Sequence, residues 1–331
     1  MPYSEVLTFT DPYEHQEALL SGKVQISVTQ PGRYVGSHTR INLHKLRMQR
    51  AREPLALVAY CAIEKGRVPI IFLADSEQEP PLHSGRELQF GELIWCADGT
   101  EYHQRSSSEF RWGAMSLDVE DLAAMSRAVA GYEFAPPKAD LFVRPPQAAL
   151  QQLLRLHKAA GDLAATAPDI LTHLEVAKAI EQELIRAMVH CLIDGDSASA
   201  SASGHTRLPV MRKFEQFLEQ HPDRPLYMPE ICAAIGASGR TLRQHCLEHL
   251  EMSPHRYLRL RSMNLARRAL IRADSATTTV TQIAADLGFW EFGRFAVEYR
   301  KLFGESPSAT LRRPPDQVPV SKVPFLHRHP R

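Results

Sequence analysis

The sequence predicts a two-domain α+β protein. Its N-terminal part is strand-rich with flanking helices and closes as a sandwich or small barrel; its C-terminal part is all-α, with two helix-turn-helix units joined by a long helix. Three observations carry this. Short β-prone runs recur from Val24 to about Leu117, long helical periodicities dominate from Val119 onward, and the pattern at Ile231 returns 52 residues later at Ile283.

The strand runs are VQISVTQPGRYVG, TRINLHKLRMQ, LALVAYCAI, VPIIFLAD, RELQFGELIWCADG and EFRWGAMSL. Gly, Pro, Asp and Ser separate most of them, as turns between short antiparallel strands require. Helices follow over 119–193, the last with Leu174, Ala177, Ile180, Leu184 and Met188 on one stripe. Such a stripe either packs on the domain's own sheet or dimerises, and the spacing does not choose. Residues 1–193 form the first domain. The stretch DGDSASASASGHTR is small and polar and cannot bury a core, so residues 194–208 are expected to be a flexible linker. Residues 209–313 make the helical domain, and 314–331 a basic tail.

With 331 residues, 44% hydrophobic and 23% charged, the chain can build two separate cores. No apolar run approaches the ~20 residues of a membrane span. The opening MPYSEVLTFTDPYEHQ has acids and prolines where a signal peptide has a basic and then an apolar stretch, so a cytoplasmic location is expected. Cys61, Cys96, Cys191, Cys232 and Cys246 are widely spaced without a CxxC, which suits reduced thiols. The net charge of +1 hides an asymmetry: residues 209–313 hold 16 Lys and Arg against 11 Asp and Glu, whereas residues 1–208 hold 20 against 26. A polyanionic partner is therefore expected for the C-terminal part alone.

ICAAIGASGRTLRQHCLEHLEMSP and IAADLGFWEFGRFAVEYRKLFGESP are two copies of one pattern. Gly236 and Gly288 each follow the leading isoleucine by five residues; counted back from the Ser-Pro pairs, Leu242 matches Phe295 and Cys246 matches Tyr299. Glycine takes the positive φ of a sharp interhelical turn, and the second helix buries one face while offering the other to a DNA major groove. Between the copies, Ser253–Ala273 reads as a helix about 30 Å long, near the ~34 Å of one DNA turn. In the first copy, Ser238 is the expected N-cap and Gly239, Arg240, Arg243 and Gln244 face outward to read bases. In the second, Gly293, Ala296 and Val297 take the equivalent positions, with Trp290, Glu291 and Arg294 near the helix start. This unit is expected to anchor on phosphate through Arg294 and Arg300 and to offer small apolar contacts to thymine methyls. His245 and His249 stand four apart without a third ligand and are expected to be surface or phosphate-facing residues, with no metal.

These residues resemble the AraC/XylS family of transcription regulators. The resemblance rests on Ile231…Gly236-Ala237-Ser238, Arg240-Thr241-Leu242, Ser253-Pro254-x-x-Tyr257, Ala266-Arg267-x-x-Leu270, Val280-x-x-Ile283-Ala284, Gly288-Phe289, Arg294-Phe295, Tyr299-Arg300, Phe303-Gly304 and Ser306-Pro307. It covers about a hundred residues and is nearest the XylS-like branch. It implies an asymmetric double-stranded DNA site, RNA polymerase as a partner, a homodimer, and activation of a catabolic or metabolite-response operon.

More loosely, Phe9–Leu117 resembles the cupin-like sensory domain of the same regulators, through FTDPYEHQEAL and PGRYVG. That resemblance implies a β-barrel holding a small effector, for which Arg40, His44, Tyr60, Phe72, Trp95 and Trp112 are candidates. DGTEYHQRSSSEF supplies only His103, Glu101 and Glu109, short of the His-x-His set of metal cupins, so neither metal nor cofactor is expected. Catalytic residues are not expected either: no Gly-x-Ser-x-Gly, P-loop or dinucleotide fingerprint occurs. A constitutive DNA-binding protein whose barrel only dimerises, and an enzyme with an accessory DNA-binding domain, are the rival expectations.

Overall fold

In the computed structural model, residues 2–19, 22–199, 208–221 and 224–313 are described. Thirteen strands occur among them: β1 (Tyr3–Phe9), β2 (Gly22–Val28), β3 (Gly36–Asn42), β4 (Arg47–Glu53), β5 (Leu57–Ile63), β6 (Arg67–Leu73), β7 (Leu82–His83), β8 (Arg86–Glu87), β9 (Leu93–Trp95), β10 (Glu101–Arg105), β11 (Phe110–Asp118), β12 (Leu141–Arg144) and β13 (Asp196–Ser199). They pair antiparallel in two sheets, β1-β3-β4-β11-β6-β9-β12-β13 and β2-β5-β10-β7-β8.

The expected barrel is not closed: the ladders end in edge strands. The β2 edge shows why, because side chains satisfy its backbone where another strand would otherwise pair. Gln16, in α1 (Pro12–Glu17), accepts from the Ile26 N–H at 2.9 Å. Asn264, from the C-terminal part, brackets Val28, accepting from its N–H at 3.3 Å and donating to its carbonyl at 3.4 Å.

Four further elements flank the larger sheet: α2 (Val119–Ala130), α3 (Gln147–Thr166), a 3-10 turn (Pro168–Thr172) and α4 (Leu174–Ile193). Most of the α4 stripe packs on the domain's own core, where Ala177, Leu184 and Met188 are buried with Ile41, Met48, Ile70 and Leu153 and Ile180 packs against them, while Leu174 is 45% exposed. Glu181 on the same helix accepts from the Lys45 N–H at 2.6 Å and the Leu46 N–H at 2.9 Å, pinning α4 to the β3–β4 turn. The first residues of the expected linker are extended, with Asp196–Ser199 paired to β12. The rest of the SASASAS run and the basic tail lie outside the described residues.

The C-terminal part is helical: α5 (Leu208–Gln220), α6 (Met228–Ile235), α7 (Gly239–Leu250), α8 (Pro254–Arg272), α9 (Val280–Asp286), α10 (Phe292–Phe303) and α11 (Pro307–Leu311). It has two cores. Met211, Phe214, Ile231, Ile235, Leu242, Cys246, Leu250 and Tyr257 fill one. Met263, Ala266, Leu270, Ile283, Ala284, Phe289, Phe295 and Tyr299 fill the other. Helix α8 serves both, which makes it the beam between two similar halves. No helix among the described residues is long and apolar enough to cross a membrane.

Candidate nucleic-acid interface

Local chemistry fixes the turn between α6 and α7. Gly236 adopts φ +65°, which a side chain would resist, and its N–H caps the end of α6. Two residues on, the Ser238 hydroxyl accepts from the Thr241 N–H at 3.1 Å and caps α7. With Leu242, Cys246 and Leu250 buried, helical geometry turns Ser238, Gly239, Arg240, Arg243 and Gln244 to solvent. Among the described residues Arg240 and Arg243 enter no ion pair. Gln244 donates to Glu248 at 3.1 Å on the helix surface.

The second turn also holds a glycine at positive φ, Gly288 at +84°, but Thr279 caps the far end of α9 and the N-cap of α10, Glu291, makes no side-chain capping bond. Phe295, Tyr299 and Leu302 are buried, and Trp290, Glu291, Gly293, Arg294, Val297 and Arg300 are exposed. This face is more apolar than its twin, with Trp290 68% and Val297 69% exposed. Its cation is already engaged: Arg294 meets Glu298 at 3.0 Å and Glu291 at 3.5 Å, and Glu298 also holds Arg259 at 2.6 Å. An arginine between two carboxylates presents little net charge to a phosphate.

His245 and His249 are not surface residues. They are 9% and 3% exposed, on a third face of α7 that packs against the N-terminal domain beside β7 and β10. The approach is close: a Cβ on Gly85 would lie 2.9 Å from the Glu248 carbonyl. Among the described residues no cluster of three or more His, Cys, Asp and Glu is placed to hold a metal.

Contacts between the two parts went unread in the sequence. His103 Nε2 lies 2.8 Å from Glu215 Oε1, both side chains buried. Arg267, buried on α8, bridges Asp11 at 2.6 Å and Glu305 at 2.9 Å. Burial opposes its charge, yet Asp11, Tyr299 and Glu305 more than offset that and hold it above the usual arginine range. The Tyr13 ring faces the guanidinium groups of Arg268 and Arg272 at 5.0 and 4.6 Å. Asp11 and Arg267 are 256 residues apart, and no local pattern pairs them.

The N-terminal domain holds a cavity between its sheets, with 690 Å³ of atom-free space, part of it open to solvent. Ile26, Leu57, Ala59, Ile71, Phe110 and Trp112 supply apolar wall, and Glu53 and Gln104 polar wall. Of the residues expected around an effector, Trp112 is there. The others lie elsewhere, because alternation along their strands or a nearer partner takes them away. Tyr60 donates to Glu101 at 2.9 Å, Phe72 packs edge-on to His157, Trp95 lies against Phe134, Arg40 pairs with Glu5, and His44 is half-exposed beside Glu181.

The helical part with its paired turns defines a helix-turn-helix class of protein, and a helix-turn-helix domain model matches residues 231–313. The probable thc operon regulatory protein of Rhodococcus erythropolis is 36% identical over 136 residues, covering 39% of this chain and 41% of that one. The XylDLEGF operon transcriptional activator 2 of Pseudomonas putida is 31% identical over 121 residues, 36% of this chain and 77% of that protein. The chain thus spans about two fifths of the length of the Rhodococcus relative. The AraC-like transcriptional activator CuxR superposes over 84% of this chain and 98% of its own, with 14% identity and a TM-score of 0.42. The chain belongs to the AraC/XylS family, whose members are transcription regulators and not enzymes.

Proposed function

We propose that the protein is a ligand-responsive transcription regulator that reads DNA sequence mainly through α7 and grips it with α10. The single observation that carries this reading is the outward row Ser238, Gly239, Arg240, Arg243 and Gln244, with both arginines outside any ion pair among the described residues. Arginine pairs bidentately with guanine and glutamine with adenine, each good pair worth ~1–3 kcal/mol of discrimination. On α10, Val297 and Ala296 suit thymine methyls and Trp290 the backbone, while Arg300 remains free among the described residues for phosphate. The N-terminal domain, whose sheet runs to Ser199, senses, and the helical part from about 209 binds. The inter-sheet cavity favours a responsive domain over one that only dimerises. By resemblance to the operon activators, activation of a metabolite-response operon by a homodimer that touches RNA polymerase completes the proposal.

Sequencing DNA fragments recovered with the protein tests it. The expected result is an asymmetric motif with defined guanine positions under α7 and a weakly specified, thymine-tolerant segment one helical turn away under α10. Recovery without sequence preference contradicts it.

A further inference from the structure

The charge of the inter-sheet cavity is not symmetric. Glu53, at the end of β4, is 2% exposed and stands in a wall otherwise dominated by hydrocarbon. The Tyr34 hydroxyl donates to Glu53 Oε2 at 2.6 Å, and His15 Nδ1 lies 2.6 Å from the same hydroxyl oxygen and 3.4 Å from the carboxylate. With the Tyr34 proton directed at Glu53, the His15 Nδ1–H donates to the tyrosine oxygen. His15 is wholly buried and stacked on Phe9 at 4.8 Å. Burial lowers its basicity, with Glu53 opposing less strongly, so the ring supplies a hydrogen bond and no positive charge.

The cations on neighbouring strands are spent elsewhere. Arg40 pairs with Glu5, and Arg52 points to the opposite face and pairs with Glu109. Among the described residues no lysine or arginine comes within ion-pair distance of the Glu53 carboxylate. A buried carboxylate held by neutral donors alone lacks a counter-charge, and a buried ion is stable only when paired. Trp112 and Tyr102 line the same wall, and aromatic rings attract cations through their faces.

We propose that this cavity selects a small, largely apolar molecule bearing a cationic amine, which pairs with Glu53, and that it rejects the matching carboxylate. This rests on reading the cavity as the effector site. A ligand carboxylate would put a second negative charge beside Glu53 without a cation to share.

The test uses the full chain with three matched probes, phenethylamine, 2-phenylethanol and phenylacetate, read by thermal shift and calorimetry. Phenethylamine is expected to raise the melting temperature and to bind about tenfold or more tighter than the alcohol, and phenylacetate to bind least. Glu53→Gln removes the amine's advantage and leaves alcohol binding in place. Should that variant not fold, Tyr34→Phe, which keeps the carboxylate, retains the amine preference, while Ala59→Trp fills the cavity and abolishes binding of both. Equal or tighter binding of phenylacetate overturns the charge selection, as does an amine preference that survives Glu53→Gln. If alcohol and amine bind equally and Ala59→Trp abolishes both, the cavity stands and its charge preference falls. If none of the probes binds, or Ala59→Trp leaves amine binding intact, the cavity reading falls too.

Discussion

Arg240 and Arg243 differ from Arg294 not in kind but in company. Two carboxylates hold Arg294 on the surface, whereas among the described residues the α7 pair projects without an ion-pair partner from a helix whose other side is core. Arg240→Ala and Arg243→Ala are each expected to weaken binding to the specific site by ~1–3 kcal/mol and to relax preference at one base pair, measured by fluorescence anisotropy on base-substituted sites. Arg294→Ala is expected to change affinity by much less and uniformly across sequences. Buried histidines shape the acid limb of stability: burial lowers His15, His38 and His157 alike. His157, buried on α3, donates through Nε2 to the Gln49 carbonyl at 3.0 Å, and burial lowers it to about 4. The folded state thus refuses a proton that the unfolded chain takes up near pH 6.5. Its stabilising contribution is complete above pH 6.5 and is lost as pH falls toward 4. Glu14 runs the other way: burial, then Asp11, raises it to about 7, so its contribution is present below pH 4.5 and fades as pH rises through 7. His157→Gln is therefore expected to flatten the fall in melting temperature between pH 6.5 and 4, which a thermal-melt series checks.

At the scale of elements, the two turns are the parts least open to change. Gly236 and Gly288 both hold positive φ, but only Gly288 is also crowded, a Cβ there meeting Pro225 at 3.0 Å. Gly236→Ala is expected to cost about 1 kcal/mol and Gly288→Ala more, both read as a lower denaturation midpoint. Elements that rest on local periodicity were legible in the sequence: the strand runs, the α4 helix, and the repeat that places Leu242 with Phe295 and Cys246 with Tyr299. Features that depend on distant partners were not. Barrel closure failed because the β2 edge is met by Gln16 and Asn264, and nothing in an alternating strand says what covers its edge. His245 and His249 have the spacing of a solvent-facing helix surface, and only the docking of α7 on β7 and β10 buries them. Glu53 looked like any strand-end carboxylate until Tyr34 and His15 closed around it.

Across the whole molecule, one helix works in two directions: α7 turns its arginines outward and its histidines onto the N-terminal domain. Beside it, the His103–Glu215 pair is buried between the two parts. Glu215→Ala leaves His103 buried opposite nothing and is expected to destabilise by about 3 kcal/mol or more, with the single thermal transition splitting in two. The central claim, that α7 carries the sequence reading, is tested most directly by selecting sites from random DNA with the full chain, its Arg240→Ala and Arg243→Ala variants, and Val297→Ala. The expected result is a motif that loses defined guanine positions in each arginine variant and persists in Val297→Ala. A motif unchanged by either arginine variant and lost in Val297→Ala would contradict it.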